Sequence, residues 1–225
     1  MKNKIKISII INSLIVLLVA LATIMMFTGF KFMDGDLVLE SSKVSMFRFY
    51  TVDSNIFMGI VSLIFLIKEI SFVKGKSNSI SVGYYILKLI GTVGVTLTFL
   101  TTVLYLSRVV DGGLVVLLKN SNLFYHLIVP VLSMITFIFF EKTDKIKFKY
   151  TFLGTITMVM YSVFYVINIL IHMENGTVAL EYDWYYFVQN GILSIFIVLP
   201  IMLVFTYIIS LGLWKCNKSG NIFKR

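Results

Sequence analysis

The chain has 225 residues, of which 58% are hydrophobic and only 14% charged. A soluble domain carries about 25% charge and about 45–50% apolar residues, so the composition argues against a water-soluble fold. The formal net charge of +9 would point a soluble protein toward nucleic acid; in a membrane protein it reflects the Lys and Arg excess of cytoplasmic loops, and no nucleic-acid partner is expected.

A spanning helix needs roughly 20 mostly apolar residues to cross roughly 30 Å of hydrocarbon. Six runs meet that length, at roughly 7–30, 47–68, 80–107, 122–140, 150–172 and 188–214. Backbone groups in lipid must be satisfied internally, and the runs are continuous rather than alternating, so they are read as helices and not as barrel strands. The expected fold is all-α: one polytopic domain, a bundle of six transmembrane helices with both termini in the cytoplasm. The first run follows Lys2, Lys4 and Lys6, as a signal peptide would. It is too long for a signal-peptide core and no small-residue cleavage site follows, so it is expected to stay as the first span.

Orientation follows from the Lys and Arg of the short loops. One side holds Lys2, Lys4, Lys6, Lys68, Lys74, Lys76, Lys142, Lys145, Lys147, Lys149, Lys215, Lys218, Lys224 and Arg225. The other holds Lys31, Lys43, Arg48, Arg108 and Lys119, with most of the acids, Asp36 and Glu40 among them. The first side is placed in the cytoplasm. Aromatic residues gather at the opposite ends of the spans, around Phe47–Tyr50, Phe124–Tyr125 and Tyr182–Tyr186, as in an interfacial belt. The single cysteine, Cys216, cannot form an internal disulfide.

Polar residues inside spans are expensive and are default functional candidates. The second span carries Arg48, Thr51 and Asn55 at helical spacing, with Asp53 and Ser54 beside them. The third has Thr98, Thr101, Thr102 and Tyr105, and a lysine, Lys88, expected to snorkel toward the cytoplasm. The fourth has Asn122, His126 and Ser133 on one face, and the fifth Tyr161, Tyr165, Asn168 and His172. Thr51 and His126 each lie four residues inside the outer end of their span, about 6 Å below it at about 1.5 Å per residue. If the two helices are neighbours, a hydroxyl and an imidazole at equal depth are the minimal nucleophile and base. Asp53 has three open roles: proton carrier, orienter of His126, or partner of Arg48. Neither metal-ligand spacing nor a phosphate loop occurs, and no cofactor is expected.

Three segments carry a resemblance. FRFYTVDSNIFMGIVSLI has an aromatic start leading into a threonine and then Ser-Asn. NLFYHLIVPVLSMITFIFFE has a histidine followed four residues later by proline. GTVGVTLTFLTTVLYLS has glycine and threonines ahead of a tyrosine. Together they resemble the androgen-induced / androgen-dependent TFPI-regulating protein family and its bacterial relatives. The resemblance implies a six-span intramembrane hydrolase that cleaves fatty acid esters of hydroxy fatty acids, with the threonine nucleophile falling on Thr51 and the histidine on His126. The chain departs from the family at Met134-Ile135-Thr136-Phe137, where members often carry Asp-Trp, and at the acidic Asp53.

The expected activity is therefore hydrolysis of a lipid-like carboxylic ester, in a bacterial cytoplasmic membrane, by a site facing the outer leaflet. Membrane lipid or a fatty acid ester is the expected partner. Asn55 is expected to donate to the oxyanion and Arg48 to hold a lipid carboxylate or phosphate; Asn122 and Tyr105 are expected to support the site. The rival readings are an acyltransferase with the same residues, a proton-coupled carrier using Asp53, His126 and His172, and a non-enzymatic membrane partner. The charge count generates a test. Cysteines placed at Lys76 and Lys147 are expected to be shielded from an impermeant thiol reagent in intact cells, and one at Asp36 to react; the reverse pattern refutes the orientation.

Overall fold

The computed structural model describes residues 2–34, 41–188 and 191–219. Among them six helices are long and apolar enough to cross a membrane: α1 (Asn3–Thr28), α2 (Tyr50–Val73), α3 (Val82–Val109), α4 (Ser121–Phe140), α5 (Phe148–Ile171) and α6 (Ile192–Lys218). Each overlaps one expected span. Asp36, Glu40, Lys224 and Arg225, counted for orientation, lie outside the described residues. The surface agrees with an integral membrane protein: Leu17, Met160, Phe196 and Ile201 are each at least 60% exposed. Water would not tolerate so wide an apolar surface, and acyl chains cover it without cost.

Two ends of the bundle are distinct. Ser8 near the start of α1 and Asn217 near the end of α6 both bond Glu141, just past α4 (3.3 and 3.0 Å). This end also carries Lys68, Lys74, Lys76, Lys142, Lys145, Lys147 and Lys149, and is called the basic end. At the other, aromatic end a 3-10 turn (Lys43–Arg48) leads into α2, and a short helix (Gly113–Leu117) precedes α4. A two-residue hairpin, β1 (Met173–Glu174) with β2 (Thr177–Val178), follows α5.

The third helix is the most buried of the six and packs against α2, α4, α5 and α6. Its apolar face (Leu89, Val93, Val95, Leu97) lies almost fully inside. Small residues permit the close approach that drives helix association in lipid. A Cβ on Gly91 would stand 2.8 Å from Met58 Sδ, and one on Gly59 would stand 2.8 Å from Val19 Cγ1. Not every turn is α. The chain makes π turns at Thr102–Leu106 in α3 and at Phe124–Ile128 and Thr136–Phe140 in α4.

The aromatics of the loop after α5 depart from a simple belt. Trp184 is buried, donates to Tyr161 Oη (2.9 Å) and packs edge-on to Tyr165. Buried Asp183 holds this plug by accepting from Tyr165 Oη and from the Phe187 and Val188 amides.

Packing at Gly91 gives a stability test. Gly91→Leu is expected to force α2 from α3 and cost about 1–3 kcal/mol by overpacking, read as a lower unfolding temperature in detergent. An unchanged transition would mean that α2 and α3 do not touch there.

Candidate active site at the aromatic end

His126 is placed by a local conflict in α4. Pro130 has no N–H, and its ring crowds the carbonyl four residues back, which is that of His126. The chain relieves this with the wider π turn at Phe124–Ile128, a distortion that recurs at functional sites. His126 is 2% exposed. Its Nδ1 lies 2.8 Å from the carbonyl of Leu117, the last residue of the short helix Gly113–Leu117, where carbonyls lack helical partners. A carbonyl only accepts, so Nδ1 carries the proton and the neutral ring keeps its lone pair on Nε2.

Thr51 is placed by the start of α2. Tyr50, the first residue, donates its amide to Tyr185 Oη (3.0 Å), satisfying one of the N–H groups that a helix start leaves without partners. Thr51 follows in the same turn. Thr51, Asn122, His126 and Tyr185 line one narrow recess of about 10 Å³, together with Met26, Phe49 and Val52. The threonine and the histidine share this wall; no hydrogen bond joins them among the described residues.

Four of the expected residues make contacts other than those anticipated. Asn55 does not aim its amide at the recess: Nδ2 donates to the carbonyls of Thr51 (2.8 Å) and Tyr125 (3.1 Å). It ties α2 to α4 below the site, and its Oδ1 is the atom left buried without a partner. Arg48 does not pair with Asp53. Its guanidinium lies over Phe49 (4.9 Å) and Trp184 (6.0 Å), and its Nε is buried without a partner. Asp53 is half-buried, and among the described residues it makes no ion pair and no hydrogen bond to His126; the Leu117 carbonyl orients the ring instead. Tyr50, Tyr125, Tyr161 and Tyr185 stand within electrostatic reach of Asp53. Tyr105 is 61% exposed and lies outside the recess, which no residue of α3 lines.

The remaining candidates fall elsewhere. Thr98 meets Ser54 Oγ (3.2 Å) and Thr102 bonds the Thr98 carbonyl (2.9 Å), so these hydroxyls serve packing. His172 stacks on Tyr182 (3.7 Å between centroids) and bonds the Asn168 carbonyl, away from the recess. Nothing in the sequence singles out Tyr185, which reads there as one of five aromatics in YDWYYF. Burial among aromatic rings pushes its phenol up to about 12, so the hydroxyl remains a donor at neutral pH.

A second polar centre lies at the basic end. Lys88 does not snorkel. It is fully buried, with Nζ 3.1 Å from Glu141 Oε1 and 2.7 Å from Asn12 Oδ1. No family model matches the chain, and no curated protein or solved structure matches it either.

The tie made by Asn55 can be tested directly. A hydrogen bond between membrane helices contributes about 0.6 kcal/mol on average. Asn55→Leu is expected to leave the protein folded but destabilised by about 1 kcal/mol in denaturant unfolding from detergent; wild-type stability would mean that the two carbonyls do not depend on it.

Proposed function

We propose that the recess at the aromatic end hydrolyses a lipid-like carboxylic ester, with Thr51 as nucleophile and His126 as base. The observation that carries this reading is the bond from His126 Nδ1 to the Leu117 carbonyl (2.8 Å). It fixes the tautomer whose Nε2 can take a proton, in a ring that lines the same recess as Thr51. A hydroxyl is a weak nucleophile until such a base removes its proton. Catalytic pairs are commonly longer than a hydrogen bond without substrate and tighten when it binds.

In the proposed reaction Thr51 Oγ1 attacks the ester carbonyl as its proton passes to His126 Nε2. Negative charge develops on the carbonyl oxygen beside Tyr185, whose protonated phenol donates to it. The amino-terminal turn of α2 adds the positive end of a helix dipole. The imidazolium returns its proton to the departing alkoxide, leaving an acyl-threonine. Water then attacks the acyl-threonine with His126 as base, the imidazolium returns that proton to Thr51 Oγ1, and the carboxylic acid leaves. Ligand pockets that engulf a small molecule measure about 300–1,000 Å³; this recess, at about 10 Å³, has room for about one water, so a substrate must part its walls to bring the ester group in, with the acyl chains left along the lipid-facing surface. The Arg48 guanidinium, stacked on the recess wall Phe49, would hold a substrate carboxylate.

Ester hydrolysis in nanodiscs, with unfolding temperature measured alongside, tests the proposal. Thr51→Ala and His126→Ala are each expected to abolish turnover, and the double variant to lose no more than either, since residues acting as one unit are non-additive. Thr51→Ser is expected to retain part of the rate. Tyr185→Phe is expected to lower kcat by about 10²–10³, the usual loss for one oxyanion donor. Full activity in a folded Thr51→Ala overturns the nucleophile. Should that variant unfold, a fluorophosphonate probe on the native protein decides the question by whether its adduct maps to Thr51.

A further inference from the structure

The basic end holds a charge arrangement that ester hydrolysis does not use. Lys88 on α3 contacts Glu141 Oε1 (3.1 Å), Asn12 Oδ1 (2.7 Å) and Ser62 Oγ (3.4 Å). The amide of Asn12 on α1 bridges two carboxylates, donating from Nδ2 to Glu141 Oε1 (2.8 Å) and to Glu69 Oε2 on α2 (3.2 Å). Ser8 Oγ adds a bond to Glu141 Oε1 (3.3 Å). All six residues are at most 3% exposed.

The centre is one positive charge short. It holds two carboxyl groups and one ammonium. The ammonium sits on Glu141, while Glu69 accepts from the neutral amide of Asn12. Within a bundle, carboxylates are charge-paired or hold a cation, because an uncompensated buried charge costs several kcal/mol or more. A second, independent sign is Glu141 Oε2, buried in the same cluster with no hydrogen-bond partner. One positively charged species between the carboxyls would satisfy both conditions.

Among the described residues, the surrounding helices supply no such species. On α1 the facing groups are Ser8 and Asn12. On α3 they are Lys88 and Tyr85, a phenol within electrostatic reach of both carboxyls. Asn217 of α6 bonds the backbone carbonyl of Glu141, not its carboxylate (3.0 Å). Lys68, beside Glu69, points its ammonium over the Tyr84 ring (5.1 Å).

We propose that Glu69 and Glu141, with Asn12 and Ser8, form a binding site for one monovalent cation, a proton or a sodium ion, entered from the basic end. The site couples α1, α2, α3 and the end of α4, so its occupancy sets how firmly these four helices close on one another.

The test uses the full chain in nanodiscs. Infrared difference spectra in sodium-free buffer near neutral pH read whether a buried carboxyl is protonated, and unfolding temperature is followed against sodium at constant ionic strength. If the cation is a proton, the native protein shows a protonated-carboxyl band that Glu69→Gln removes. If it is sodium, that band is absent, and sodium but not choline raises the unfolding temperature saturably, an effect that Glu69→Gln abolishes. Glu69→Gln replaces the carboxyl with a neutral group of the same shape and is expected to fold. Should it not fold, the native spectrum and the sodium titration still decide. A native protein with no protonated carboxyl and no sodium dependence overturns the proposal. These readouts are independent of ester hydrolysis, so either proposal can fail without the other.

Discussion

Hydrocarbon offers a polar group no hydrogen-bond partner, and the whole arrangement follows from that. It requires helices, whose backbone groups satisfy one another. It also sorts the polar side chains by reach. Many serines and threonines turn back onto their own helix: Thr96 bonds the Thr92 carbonyl, Ser133 that of Val129, Thr136 that of Leu132 and Thr206 that of Met202. Asparagine, lysine, glutamate and histidine carry more donors or acceptors than one helix can satisfy. They are driven into the bundle, and they become the ties between helices.

Those ties stand at the two ends. At the aromatic end Asn55 joins α2 to α4, Tyr125 joins α4 to Thr23 of α1 (2.7 Å), and Tyr185 caps α2 from the loop after α5. At the basic end Asn12 and Lys88 gather four elements, and Asn217 pins α6 through the Phe137 carbonyl (2.6 Å) and the Thr143 amide (3.1 Å). The middle of the bundle is left to apolar packing and glycine contacts around α3. Fixing both ends while the centre stays apolar gives a small recess at one end a stiff frame.

Much of this is legible in the sequence, for reasons specific to lipid. Span positions follow from the length of apolar run needed to cross, and polarity of the ends from lysine placement. The meeting of Thr51 and His126 at one recess is legible because both can be counted inward from the same boundary. What escapes the sequence is anything that depends on direction. The amide of Asn55 points along its own helix rather than out of it, and Arg48 chooses aromatic faces over Asp53. Tyr105 turns outward at a π turn, which a count based on 3.6 residues does not reveal, and α3 contributes nothing to the recess. Lys88 defies its expected snorkelling because Glu69 and Glu141 stand beside Lys68 and Lys142 at span ends, where they look like solvated loop charges; only three-dimensional packing turns them inward.

The π turns alter what a change in chain length does to this protein. Each holds one residue more than the α repeat, so the helix on one side is turned by about 100° relative to an unbroken α-helix. Deleting a single residue within Phe124–Ile128 would leave hydropathy, span length and loop charge almost unchanged. It would nonetheless swing the start of α4 around its axis and carry His126 off the wall it shares with Thr51. Between otherwise similar chains, one residue gained or lost inside this span acts as a rotation, and two sequences with superimposable hydropathy profiles can present different faces to the same recess.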